Sequence, residues 1–115
     1  MESFSPNLKA GIWVQAQLRI CDQRCIPLTI VKKGDPDAGA VFLKIVTSRE
    51  SSRVYSRAYT LDGERGWFCG TGPVAVSEAV ADAYIEKQLN YDRDIWVIEI
   101  EDPRSLYKFD APIIE

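Results

Sequence analysis

Arg53, Tyr55, Arg57 and Tyr59 alternate basic and aromatic side chains. The two-residue period of a strand puts all four on one face, with Val54, Ser56, Ala58 and Thr60 on the other. Such a row can stack planar groups and hold phosphates. The stretch from Arg24 to Arg65 is locally basic, with eight basic against five acidic residues, whereas Val74 to Glu115 carries four against ten. Glu99 and Glu101 share one face of a later strand by the same period. Cross-strand pairing with Arg53, Arg57 or Lys44 is therefore the competing use of this charge, and the acidity of the chain as a whole makes it the weightier one. The row is the candidate ligand or partner surface.

Three other fragments hold reactive residue types without completing a site. Asp35 and Asp37 stand two apart in Gly34-Asp35-Pro36-Asp37-Ala38-Gly39, as at the opening of a calcium loop. Calcium needs about six to eight oxygens, and the remaining carboxylates are missing. A hairpin connector is expected instead, with Pro36 fixing one φ and Gly39 supplying a positive one. Gly70-Thr71-Gly72-Pro73-Val74-Ala75 formally fits a dinucleotide fingerprint, yet Pro73 removes an N–H that a phosphate cradle would use. A plain glycine turn is the expected role. Cys21 and Cys25 would share a helical face, and Cys69 would complete three thiolates, but neither the spacing nor the ligand number suits structural zinc. The odd cysteine count fits reduced, packed thiols, so no metal and no cofactor is expected.

The absence of histidine narrows the chemistry further. Ser-His-Asp and Cys-His nucleophile systems, HExxH zinc sites and imidazole bases all need a residue this chain lacks. The net charge of −3 argues against a general nucleic-acid binder. No run of about 18 apolar residues could span a bilayer, and Met1-Glu2-Ser3-Phe4 lacks the basic-then-apolar build of a signal peptide. The expected location is cytoplasmic, with no membrane partner.

At 115 residues, 46% of them hydrophobic, one domain over 1–115 is expected, with 1–6 and 103–115 as peripheral tails. Ser5-Pro6 is a helix start. The following run supports a helical stripe of Ala10, Val14, Leu18, Cys21 and Cys25, flanked by Trp13. It also supports a strand alternation from Ile12 to Ile20. The stripe's continuation to Cys25 favours a helix over 10–25. Strands follow at 27–33, 40–47, 53–60 and 67–69, the first two joined by a connector short enough for antiparallel pairing. Ser77 is an N-cap for a second helix to Asn90, with Val80, Ala81, Tyr84, Ile85, Gln88 and Leu89 inward and Glu78, Asp82 and Glu86 on an acidic outer face. Ile95 to Glu101 is a strand stopped by Asp102-Pro103. The apolar residues Leu106, Tyr107, Phe109, Ile113 and Ile114 should pack along the domain or on a partner. The expected fold is α+β: a mostly antiparallel sheet of about five strands with two helices on one face, in the order α-β-β-β-β-α-β.

Three blocks, Lys9-Ala10-Gly11-Ile12-Trp13-Val14-Gln15-Ala16, Gly34 to Val41, and Ile95 to Asp102, make the chain similar to a family of short alphaproteobacterial proteins known only as a domain of unknown function. The resemblance covers nearly the whole chain. It implies a single compact domain and a helical first element, and it brings no substrate, cofactor, partner or functional residue with it.

The function expected from the residues is a small non-catalytic binding or protein-interaction domain, its partner an unknown protein or a second copy joined through a sheet edge or Ile113-Ile114. The alternative is a small-molecule or nucleotide-handling enzyme using Asp, Glu, Arg or Tyr, for which a deep pocket lined by Trp13, Trp67 or Trp96 would be the sign. A nucleic-acid accessory role through the Arg/Tyr row comes third.

Overall fold

The computed structural model describes residues 9–114. Its elements run α1 (Ala10–Gln23), β1 (Leu28–Lys32), β2 (Val41–Ser48), β3 (Ser51–Tyr59), β4 (Arg65–Cys69), α2 (Glu78–Tyr91), β5 (Trp96–Glu101) and β6 (Ile113–Ile114). The fold is α+β, as expected, with the predicted elements in the predicted order and one short strand added from the C-terminal segment. The Ser5-Pro6 helix start lies outside the described residues.

Residues 12–20 are helical, and α1 ends two residues before the predicted boundary. Cys25 adopts φ 58, and the Ile26 N–H reaches back to the Cys21 carbonyl at 2.9 Å, a left-handed helix stop of the Schellman type. Cys21 and Cys25 therefore do not share a helical face. The buried stripe is Ala10, Trp13, Val14, Gln17 and Cys21. At the start of α2 the Ser77 hydroxyl accepts from the Val80 N–H, the predicted cap.

The sheet differs from expectation in three ways. It has six strands in the order β1-β5-β2-β3-β4-β6. It is mixed: β2 pairs parallel with β5, and β4 parallel with β6, while the other neighbours are antiparallel. The predicted β1–β2 hairpin is absent because β5 lies between its two strands. The cause is the run Ile95 to Ile100, apolar enough to fill both sheet faces and thus to occupy an interior position. β1, half covered, is left at the edge.

The two helices lie on opposite faces, not on one. Val41 and Leu43 of β2 and Trp96, Ile98 and Ile100 of β5 pack with Trp13, Val14 and Cys21 of α1. The alternate residues Phe42 and Val97 pack with Ala81 and Ile85 of α2. A central strand apolar on both sides needs two covers, and one helix stripe can supply only one of them.

Asp102 redirects the chain after β5. Its carboxylate accepts from the N–H groups of Leu106 and Tyr107 at 2.8 and 2.9 Å, and Ser105 takes φ 55 in the same turn. The turn sends Tyr107, Phe109 and Ala111 onto the α1 face of the sheet, where they pack against the core. β6 then extends the sheet beside β4.

Candidate functional site

The Arg/Tyr row of β3 lies on the α1 face, which divides it into different environments. In the middle, Arg57 is half-buried, its guanidinium carbon 5.0 Å from the Trp13 ring centroid. The Tyr55 ring packs against Phe109 at 4.7 Å between centroids. Tyr59, at the strand's end, is 64% exposed. Arg53, at the other end, donates from Nη1 to the Pro73 carbonyl at 3.1 Å. The four residues are aligned as the strand period requires, but α1 and the C-terminal segment cover the middle, so they form no continuous face.

Beside Arg57 the structure builds a polar centre around Asp110. One carboxylate oxygen accepts from Trp13 Nε1 at 2.8 Å and Arg65 Nη2 at 3.0 Å; the other accepts from Trp67 Nε1 at 3.0 Å. Burial alone would raise this carboxyl, but the two indole N–H groups and the Arg65 guanidinium outweigh it and hold its pKa below the ordinary aspartate value. Nearby, the Tyr107 hydroxyl donates to Gln17 Oε1 at 2.8 Å, and burial pushes this phenol up. Trp13 and Trp67 are fully buried, and Trp96 nearly so. The tryptophans are core residues whose indole N–H groups are each paired, Trp96 with the Asp35 carbonyl.

A second buried charge sits on the α2 face. Lys44 is 4% exposed, and its ammonium meets Asp82, Glu78 and Glu99 at 2.8, 2.9 and 3.2 Å. Of the cross-strand pairings expected for Glu99, the Lys44 one forms. Arg53 and Arg57 face the opposite side. Glu78 and Asp82 thus grip a buried cation and do not merely line an outer face. Burial alone would lower the ammonium pKa, but the three carboxylates raise it above the ordinary lysine value.

In the loop 34–39, Asp35 accepts from the N–H groups of Asp37 and Ala38 at 2.8 and 3.0 Å, which lowers its carboxyl pKa. Its carboxylate is engaged in holding the turn. Asp37 pairs with Lys9 at 3.5 Å. Gly39 does not have the expected positive φ, which is confined to Gly63 and Gly72 among the described glycines. It is needed for space, since a Cβ there would stand 2.7 Å from the carbonyl oxygens of Asp35 and Asp94. Among the described residues, no three histidine, cysteine, aspartate or glutamate groups stand together to hold a metal. Cys21 is buried, Cys25 is exposed, and Cys69 lies between these extremes. The glycine segment 70–75 does not open a helix. Val76 bridges back to Ser52, and α2 begins only at Glu78.

The open concavity of the Arg/Tyr row is a groove of about 600 Å³ lined by Arg53, Tyr55, Phe68, Cys69, Pro73 and Ile113 together with Gly72 and Ile114. Phe68 and Ile113 on its rim are 47% and 43% exposed. It joins the predicted residues Arg53 and Tyr55 to Ile113 and Ile114 of the predicted apolar tail and to Phe68 of β4, which the sequence does not mark. Their neighbourhood depends on the parallel β4·β6 pairing, which no local pattern encodes. The sequence also misses the centre at Asp110, and at Lys44 it anticipates the Glu99 pair but not the two α2 carboxylates. For Lys44 a signal exists: a single charge inside the apolar run Val41 to Val46.

No helix among the described residues is long and apolar enough to cross a membrane. No curated protein matches the chain. A crystal structure of a DUF1491 family protein from Caulobacter crescentus is similar at 38% identity and TM-score 0.83, over 93% of this chain and 99% of that one. An NMR structure of a DUF1491 family protein from the same organism matches at 36% identity and TM-score 0.81, over 96% and 100%. A solution structure of a protein from A. tumefaciens matches at 26% identity and TM-score 0.66, over 83% and 86%. These relatives agree with the alphaproteobacterial resemblance carried by the three sequence blocks. The profile of the family described as "Protein of unknown function (DUF1491)" matches residues 8–109, and the chain belongs to that family.

Proposed function

We propose that the protein is a non-catalytic binding domain for another protein and that its docking site is the groove between β3, β4 and β6. The observation that carries this reading is the groove itself. Arg53 and the half-exposed Ile113 line it from the α1 side of the sheet, and the half-exposed Phe68, one residue off in register, borders it from the other side. Apolar anchors around one oriented polar group are the composition of a protein-binding hot spot. The site lies at the end of the sheet, where β6 is only two residues long and its outer edge carries no further strand of the described chain. Such an edge is a natural place for a partner. Cytoplasmic location is part of the same reading.

The test compares proteins retained from native lysate by the wild type, by an Arg53→Glu/Phe68→Ser variant and by a Leu61→Ser control, after circular dichroism has shown all three folded. Leu61 is fully exposed and away from the groove. A partner held by the wild type and the control but lost from the double variant supports the groove. An identical profile for all three removes it.

A further inference from the structure

We infer that the guanidinium groups of Arg57 and Arg65 hold a small monovalent anion of the halide class between them, a structural anion site on the α1 face of the sheet. The site is separate from the β3–β4–β6 groove and stands whether or not a partner docks there.

Unpaired donors are the first reason. Among the described residues, the buried side-chain polar atoms without a hydrogen-bond partner are the Ser52 hydroxyl and three guanidinium nitrogens, Arg57 Nε, Arg57 Nη2 and Arg65 Nη1. A buried N–H without an acceptor is costly, and folded proteins keep few of them. Three on two neighbouring side chains point to one missing acceptor. The strand register makes them neighbours: Arg57 stands opposite Trp67 and Arg65 opposite Tyr59, so the two arginines are diagonal partners on one face of β3 and β4. Long side chains meet across that diagonal.

Charge is the second reason. The Arg65 side chain is only 8% exposed and pairs with Asp110 at 3.0 Å. Asp110 is also the carboxylate whose charge bears on Arg57. Two guanidinium groups thus share one carboxylate, which also serves the indoles of Trp13 and Trp67. One positive charge is left over, inside a chain whose net charge is −3. Burial, followed by the charge of Arg65, lowers the Arg57 pKa, as expected for like charges without a second counter-ion.

Valence and size choose the anion. One surplus charge matches a monovalent ion, whereas a dianion such as sulfate would exceed it and face Asp110. The unpaired nitrogens are closed to solvent, which disfavours an anion with several oxygens that each need a donor. A spherical halide accepts from N–H groups arriving in any direction. Arg57 is half-buried, and the long, rotatable arginine side chains can part around the ion, which relieves their mutual repulsion.

The experiment follows thermal unfolding of the intact protein at pH 7 and fixed ionic strength while chloride replaces gluconate, an anion too bulky for an enclosed site. An ion that binds the folded form alone raises the midpoint, and the wild type should gain about 4 °C or more, with saturation. Arg57→Met removes two of the three unpaired donors and keeps the cover over Trp13. In gluconate it should be at least as stable as the wild type, and it should lose the gain from chloride. A wild-type crystal soaked in bromide should show anomalous density between the Arg57 and Arg65 side chains. Equal chloride gains in wild type and variant, or no bromide at that position, overturn the inference. Bromide there without a chloride-dependent midpoint is an adventitious ion only and overturns it as well.

Discussion

Lys44 and Glu99 are direct neighbours across the parallel β2·β5 pair, their charged groups 3.2 Å apart, and α2 brings Asp82 and Glu78 to the same ammonium. A strand-to-strand pair thus becomes the point where a helix is fastened to the sheet. The arrangement confines one cation among three carboxylates, of which only the cation is fully buried.

Removing that cation should expose the imbalance. Lys44→Met is expected to cost about 2 kcal/mol at neutral pH, below the full penalty for breaking a buried pair because the carboxylates remain partly solvated. Because the folded pKa of Lys44 is raised, its contribution is complete below the unfolded value of about 10.4 and is lost as the pH rises through the folded one. Urea titrations from pH 7 to 11 follow the onset of that alkaline loss. A Lys44→Met variant as stable as wild type at pH 7 would contradict the fastening role.

Asp110 works in the opposite direction. Its folded pKa is depressed, so the stability it provides is present above the unfolded value of about 3.9 and disappears as the pH falls through the folded one. Asp110→Asn should cost about 2–3 kcal/mol at pH 7, since Trp13, Trp67 and Arg65 lose a charged acceptor. The acid limb of the stability curve should flatten in the variant. Chemical denaturation at pH 7 and pH 3 measures both effects, and an unchanged acid limb would show that Asp110 does not govern it.

Arg57 offers a test with the reverse sign. Among the described residues its Nε and Nη2 atoms are buried without a hydrogen-bond partner, and burial, followed by the charge of Arg65, lowers its pKa. A long apolar replacement keeps the cover over Trp13 and removes the unpaired donors. Arg57→Met should therefore be neutral or stabilising by up to about 1 kcal/mol, while Arg57→Ala should destabilise by a similar amount through lost packing. Thermal unfolding of the pair decides the matter. If both lose stability equally, the guanidinium itself is needed.

Gly39 and Gly63 separate crowding from backbone conformation. A Cβ on Gly39 would meet two carbonyl oxygens at 2.7 Å, whereas one on Gly63 would meet nothing but has φ +82. Gly39→Ala should lose about 2–3 kcal/mol through forced displacement of the Asp35 and Asp94 backbone. Gly63→Ala should lose about 1 kcal/mol from the left-handed conformation alone. Denaturant midpoints rank the two, and a larger loss at Gly63 would refute the crowding explanation.

Much of the element list was legible because it is local. Ser77 caps α2 through its own hydroxyl, and the β3 alternation does align Arg53, Tyr55, Arg57 and Tyr59. The environment of those side chains was not legible. Arg57 lies over Trp13 and Tyr55 against Phe109, contacts between distant parts of the chain that no strand period encodes. The same holds for the groove, which Arg53 and Ile113 line together only because β6 returns beside β4.

The sequence by itself determined the α+β class, the element order and the family resemblance, while its periods left the first element open between helix and strand. Period, capping and turn chemistry all act within a few residues. Tertiary structure decided that β5 enters between β1 and β2, that the helices cover opposite faces, and that Asp110 and Lys44 become charge centres. The physical reason is burial. The run from Ile95 to Ile100 needs apolar cover on both faces, and that demand is met by segments far from it in the chain.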